Sequence, residues 1–223
     1  MGSVGKGGKM ENNSILYVYA VAAVAAYLIG TISPSLIISK LKNKDLRSNG
    51  SGNLGASNTA MLMGWKFGVL VGVLDILKAC IPVLIAKFVF SEYIYLQFVV
   101  ATCVVLGHIF PFYLKFKGGK GFAAFFGSIL GIHWLAFIII GALFLIIVFV
   151  SDKIVIGTFS TITLFPVYVW IVDRNIVCVA IILIATAVIY IKHIDNMKKL
   201  YRHEEFGLRE SLKGKHMLKE ESN

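Results

Sequence analysis

Long apolar runs separated by short polar breaks make up most of the chain. Residues 15–38, 67–90, 93–113, 122–131, 133–150, 154–172 and 176–191 are built mainly of Ile, Leu, Val, Phe and Ala, with few charges. A bilayer core of about 30 Å takes roughly 20 such residues as a helix. Backbone groups in lipid have no water to bond to, so helix is the form these runs must adopt. The pattern predicts an all-α, polytopic membrane protein with seven transmembrane helices. The fourth run is too short to cross alone: it either extends back through Gly119–Gly121 or remains a partial span. Ser33-Pro34-Ser35, near the end of the first run, predicts a kink.

Composition adds that almost nothing is left over for a soluble domain. The 223 residues are 57% hydrophobic, with a mean hydropathy of +0.80. Residues 1–13 read as a flexible polar start, 14–205 as the membrane domain and 206–223 as a charged cytoplasmic tail. Cys80, Cys103 and Cys178 are odd in number and irregularly spaced, so neither a disulfide framework nor a metal site is indicated.

Charge sets the expected orientation. Lys40, Lys42, Lys44, Arg47 and Lys66 follow the first run, Lys115, Lys117 and Lys120 follow the third, and Lys153 follows the fifth. Lys192, Lys198, Lys199 and Arg202 begin the tail, while the opposite loops hold little beyond Lys87 and Arg174. With seven spans all the rich loops share one side, which the positive-inside rule assigns to the cytoplasm, with the N-terminus outside and the C-terminus inside. The net charge of +10 is thereby a membrane signature and gives no reason to expect nucleic acid as a partner.

Two glycine-rich patches interrupt the apolar pattern on that side. Residues 50–58 read GSGNLGASN, and residues 107–121 read GHIFPFYLKFKGGKG. Glycines at 50, 52 and 55 permit turns closed to other residues and let a ligand approach the main chain. Ser51, Asn53, Ser57 and Asn58 add neutral hydrogen-bonding groups. Successive exposed N–H groups form an anion-binding concavity, and a helix starting after them reinforces it. The alternative is an ordinary interfacial loop. In the second patch Lys117 and Lys120 flank Gly118-Gly119, and lysine is a point-charge partner for phosphate. Gly121 rather than Ser or Thr follows Lys120, so this is not a Walker A loop. A positive-inside anchor accounts for the lysines and leaves the glycines unexplained.

Individual residues extend the picture. His108 precedes Ile109-Phe110-Pro111 and is either a structural hydrogen-bonder or an acid–base group. Asp75 and Lys78, inside the second run, are spaced to pair on one helix face. Ionisable groups at that depth face a bundle interior or a cavity, which makes an ion pair the first reading and support of a site the second. His193 and Asn196 stand three apart at the cytoplasmic end of the last run.

The two patches, followed by His193-x-x-Asn196, occur in the order found in the bacterial membrane-integral acyltransferases that pass an acyl chain from acyl phosphate to glycerol 3-phosphate. Gly30-Thr31-Ile32 and Leu74-Asp75-Ile76-Leu77-Lys78 also resemble that family, the PlsY family. The resemblance implies a seven-span fold in the bacterial plasma membrane, with a cytoplasmic-side site and no cofactor or metal. It implies acyl phosphate and glycerol 3-phosphate as substrates, lysophosphatidic acid and phosphate as products, and membrane lipid as surroundings. By motif match, Ser51, Gly52, Asn53, Gly55 and Asn58, with Thr158, hold the acyl-phosphate head. Lys120, His193 and Asn196, with Lys117 and Arg47, hold glycerol 3-phosphate. His108, Lys120 and Asn53 are the catalytic candidates, and Ser35, Asp75, Lys78 and Glu205 are supporting ones.

An acyl phosphate is a mixed anhydride, already activated, so no protein nucleophile is needed; alignment and charge stabilisation suffice. In keeping with this, His108, His133, His193, His203 and His216 all lack an Asp five positions on, so the acid–base signature of other acyltransferases is absent. Several positions depart from the family pattern. Met61 and Lys199 stand where arginines are usual, His203 where glycine is, and Val155 and Thr158 where serines are. Lysine cannot copy the bidentate phosphate contact of arginine, which leaves Arg47 and Lys66 as replacements. Two alternatives follow: a family member with another phosphorylated acceptor, and a transporter of an anionic metabolite. Transporter folds tend to show internal repeats, and none is visible here. A CDP-alcohol phosphotransferase needs clustered aspartates, whereas Asp45, Asp75, Asp152, Asp173 and Asp195 are scattered.

Overall fold

The computed structural model describes residues 4–205 together with 207 and 209; the rest of the expected tail, 206–223, lies outside the described residues. The described residues form ten α-helices: α1 Val4–Thr31, α2 Pro34–Leu41, α3 Ala56–Met63, α4 Trp65–Val89, α5 Leu96–Ile109, α6 Phe122–Ile132, α7 Trp134–Ser151, α8 Ile154–Asp173, α9 Ile176–Lys192 and α10 Ile194–Tyr201. No strand occurs among the described residues. α1 reaches back to Val4, through residues expected to precede the membrane domain.

Among the described residues five helical segments are long and apolar enough to cross a bilayer, and six if the bent pair of α9 and α10 counts as one. The fourth apolar run does not extend back through its glycines. Gly121 takes a left-handed conformation, φ +93°, and α6 starts only at Phe122, leaving 11 residues. At 1.5 Å per residue that is about 16 Å, roughly half a bilayer core. Its short length is tolerable because most of α6 is buried by neighbouring helices: Ala124, Phe125, Ile129 and Ile132 are fully covered, and backbone at membrane depth needs protein rather than lipid around it when helix is short.

Close backbone approach at glycines fixes the tightest seams. A side chain at Gly30 would collide with the Val104 carbonyl of α5, and one at Gly107 with the Tyr27 carbonyl of α1. Gly127 of α6 likewise lies against the Ile76 carbonyl of α4. Without a hydrophobic drive between helices in lipid, small residues let backbones meet and dispersion contacts hold them. The outer faces remain apolar: Ile138, Ile146 and Phe149 of α7 are more than half exposed, as lipid-facing side chains are expected to be.

The predicted kink is a full break between α1 and α2. Ser33 caps α2 by accepting from the Leu36 N–H at 3.3 Å, and Pro34 opens it. The carbonyls freed at the break are taken by distant side chains: Lys78 Nζ donates to Ile32 O at 2.6 Å and the Tyr113 hydroxyl to Thr31 O at 2.6 Å. Successive helices run between two ends of the bundle. One end gathers the α1–α2 break, both glycine-rich patches, the α7–α8 turn and the start of α10. The other is tied by Lys87 Nζ donating to Ile132 O at 2.6 Å and by His133 Nε2 against Asp173 Oδ2 at 2.8 Å.

Candidate active site

The first patch folds on itself around Asn58, which is 1% exposed. Asn58 Oδ1 accepts from the Ser51 N–H at 2.9 Å, and its Nδ2 donates to Leu46 O at 2.8 Å. Gly50 and Gly52 both hold positive φ, and a side chain at Gly50 would strike Asn58 Oδ1. Asp45 stiffens the entry to the loop by accepting from Ser48 Oγ at 2.6 Å and the Arg47 N–H at 2.8 Å, and the Ser48 hydroxyl holds its carboxyl below the usual range. Asn58 was expected to touch the acyl-phosphate head; the structure turns its amide inward as the clasp of the loop. What the clasp leaves open is main chain. Gly55 caps α3 without a side-chain bond, and among the described residues the N–H groups of Asn53, Leu54, Ala56 and Ser57 have no protein acceptor. Unpaired amides at a helix start are an anion site.

The second patch is folded by its neighbours. Gly118 N–H donates to Ile109 O at 3.0 Å and Gly119 N–H to His108 O at 3.1 Å, so the Gly-Gly pair doubles back along the end of α5. A Cβ on Gly119 would collide with His108 Nε2 and stand 2.8 Å from Leu54 O of the first patch. Glycine is therefore required there by close approach, and that approach is what joins the two patches. α3 starts two residues after Leu54 and α6 three after Gly119, so two helix N-termini begin beside one contact.

Behind this contact the sequence pair Asp75–Lys78 becomes a cluster of three. Lys78 Nζ lies 2.7 Å from Asp75 Oδ1 and 2.9 Å from His108 Nδ1, and His108 Nδ1 lies 3.3 Å from Asp75 Oδ1. His108 Nδ1 faces both Lys78 and Asp75, while its Nε2 faces Gly119. Burying these charges is tolerable because each has a partner. Ser35 is buried beside Ser33, with the two hydroxyls 3.1 Å apart, at the break that Lys78 also holds.

Lys120 reaches the other wall. Its Nζ donates to Asn196 Oδ1, and Asn196 Nδ2 donates to Glu205 Oε1 at 2.9 Å. The Glu205 carbonyl in turn accepts from Lys153 Nζ at the α7–α8 turn. Burial pushes the Lys120 ammonium below the usual lysine range, and the Glu205 carboxylate opposes that shift. His193 Nδ1 donates to Ile189 O at 2.9 Å, and Gly121 packs against Ile189, which seats His193 behind the second patch.

Other expected residues take different places. Lys117 and Arg47 are exposed, so of the two lysines flanking Gly-Gly only Lys120 is turned into the protein. Thr158 is buried in α8, with its hydroxyl proton donated back to Ile154 O at 3.1 Å. Met61, at a usual arginine position, places its sulfur against Gly50. Lys153 was legible only as an orienting charge, because its partner lies 52 residues on. Among the described residues no His, Cys, Asp and Glu cluster could hold a metal ion.

Fold and site together define an all-helical integral membrane protein whose polar groups meet at one end, where two helices begin. The chain belongs to the glycerol-3-phosphate acyltransferase family, whose profile matches residues 20–203. The curated glycerol-3-phosphate acyltransferase of Pelagibacter ubique is 37% identical over 192 residues, covering 84% of this chain and 96% of that one. Glycerol-3-phosphate acyltransferase 1 of Oceanobacillus iheyensis is 32% identical over 196 residues, covering 84% and 93%. Among solved structures, PlsY, an integral membrane glycerol 3-phosphate acyltransferase, superposes in its glycerol 3-phosphate form with a TM-score of 0.81 at 29% identity, covering 86% of this chain and 96% of that one. Its lysophosphatidic acid form gives 0.78 at 28% identity. The protein is an enzyme of the acyltransferase class.

Proposed function

We propose that the protein transfers an acyl chain from acyl phosphate to the 1-hydroxyl of glycerol 3-phosphate, giving lysophosphatidic acid and phosphate. The observation that carries this is the contact of Gly119 with Leu54 O and His108 Nε2, which sets an open-amide loop beside a chain of Lys120, Asn196 and Glu205. The amides of Asn53, Leu54 and the first turn of α3 take the acyl-phosphate head, with Ser51 and Gly52 shaping that loop and Gly55 opening the helix. Lys120, His193 and Asn196 take the acceptor phosphate, with Arg47 and Lys117 drawing anions in from the surface. Asn58, Asp75, Lys78, Ser35 and Glu205 position these groups, and Thr158 packs behind them.

The hydroxyl oxygen attacks the acyl carbonyl carbon, and the carbon–oxygen bond to phosphate breaks. The electron pair leaves with phosphate, which also receives the hydroxyl proton. Preorganised N–H donors stabilise charge as it develops on the carbonyl oxygen, and two bound anions held in register supply proximity. His108 holds the second patch in place, its carbonyl accepting from the Gly119 N–H and its ring Nε2 lying against Gly119.

Seven passes, with the patches cytoplasmic in a bacterial membrane, fit the helix order if α6 counts as a pass: it starts at the second patch and its last residue is tied to Lys87 near the end of α4. The site end carries Lys40, Lys42, Lys44, Lys115 and Lys153. The test is phosphate release from palmitoyl phosphate by purified protein with and without glycerol 3-phosphate. Acceptor-dependent release with lysophosphatidic acid formed is expected; folded protein that releases none, or the same amount without acceptor, defeats the reading. Cysteine placed at Ser48 in a Cys-free background should react with an impermeant thiol reagent only in opened cells; labelling of intact cells overturns the orientation.

A further inference from the structure

α10 has two working faces. Its inner face carries Asn196, the partner of Lys120, and half-buried Leu200. Its outer face presents Ile194, 43% exposed, Met197, 47%, and Tyr201, 89%, beside exposed Lys198 and Arg202. The helix leaves the axis of α9 by 50°, at the end of the bundle where the chain quits its last apolar run. Met197, Lys198, Tyr201 and Arg202 line an open concavity of about 410 Å³ there. Lys198 has only a 3.8 Å exposed approach to Asp195, and among the described residues the Arg202 guanidinium has no acidic partner. Two apolar side chains and two cations around one hollow match the glycerol and phosphate region of a bilayer lipid. Tyrosine favours that interface, and each cation near an anionic surface enriches lipid about fivefold.

We propose that the outer face of α10 binds the anionic headgroup of a bilayer phospholipid, and that the bound lipid holds the helix in the position from which Asn196 reaches Lys120. The second half rests on the acyl-transfer reading, because Asn196 acts there through Lys120. The lipid is the occupant rather than a soluble anion because the apolar half of the hollow needs an acyl or glycerol partner. Met197 and Tyr201 are too exposed to be core side chains of this fold, and in a bilayer they cover apolar area that water would otherwise meet.

The test uses the full chain in vesicles, with Trp65, Trp134 and Trp170 changed to Phe and Tyr201→Trp as reporter. Quenching by brominated phosphatidylglycerol should exceed that by brominated phosphatidylcholine at equal bromine content by at least about twofold. Lys198→Glu with Arg202→Glu should equalise the two. In the natural chain kcat/KM for glycerol 3-phosphate should rise about fivefold with phosphatidylglycerol content, and the charge-reversed chain should lose that response while turning over at the phosphatidylcholine level. Equal quenching by both lipids in an active chain overturns the site and leaves acyl transfer standing. Preferential quenching with turnover indifferent to lipid charge overturns the coupling to Asn196. Inorganic phosphate that raises turnover in phosphatidylcholine vesicles as well as phosphatidylglycerol does overturns lipid as the occupant. A chain that quenches as expected but turns over in no lipid defeats the function and not the headgroup site.

Discussion

The two glycine-rich patches reach their shapes by opposite routes. Residues 50–58 hold their own shape: one buried asparagine, seven to twelve residues from its partners Ser51 and Leu46, fastens the loop. Residues 118–121 have no such clasp. They are laid against α5 by Ile109 and His108 and tied by Lys120 to Asn196, 76 residues away. The first patch is thus preorganised locally, and the second exists only when three parts of the bundle have met. Damage to the first should be specific to one substrate, whereas damage to the second should spread.

The sharpest way to break this contrast is Gly119→Ala. A methyl there meets His108 Nε2 and Leu54 O at once, so turnover should fall below detection in protein that stays monodisperse and helical. Wild-type rates would show that the patches are not pressed together. Lys120→Ala should come next: losing a charge-assisted phosphate contact costs about 3 kcal/mol, or about a hundredfold in kcat/KM. Steady-state kinetics against glycerol 3-phosphate reads it, and an effect confined to the acyl phosphate would reverse the division of labour.

Asn58→Ala should be milder and one-sided, raising the KM for palmitoyl phosphate about tenfold through a loosened loop. An equal rise for glycerol 3-phosphate would argue that the first patch is not self-held. Glu205→Gln gives the smallest change in rate and a diagnostic one in pH. Glu205 favours the charged form of Lys120 against burial, so without it the ammonium loses its proton at lower pH. The alkaline limb of kcat/KM should then move down; an unmoved limb would detach Glu205 from Lys120. Lys153→Met, which frees the Glu205 carbonyl, should raise the glycerol 3-phosphate KM about threefold.

The same contrast explains what could be read from sequence. Apolar runs announced their helices because bilayer physics leaves them no other form, and Ser33-Pro34-Ser35 announced the break. The first patch was legible because its glycines and its clasp lie together. Asp75 and Lys78 could be paired from spacing, but the third member, His108, is 30 residues on and comes from another helix. Asn58 was read as a ligand contact because an amide near glycines looks the same whether it faces in or out. Spacing is equally silent on where a helical threonine sends its proton, and Thr158 returns it to its own backbone.

The chain of Lys120, Asn196, Glu205 and Lys153 has a consequence for how the protein is made. Both glycine-rich patches are synthesised well before Asn196 and Glu205, the residues that continue this chain from Lys120. A chain ending at Lys192 contains α1 to α9 and Lys120, yet lacks the asparagine to which Lys120 bonds. The chain of bonds from Lys120 therefore closes only after the last apolar run has been made, so a product truncated before Asn196 keeps the first patch and the bulk of the bundle but leaves Lys120 without that partner.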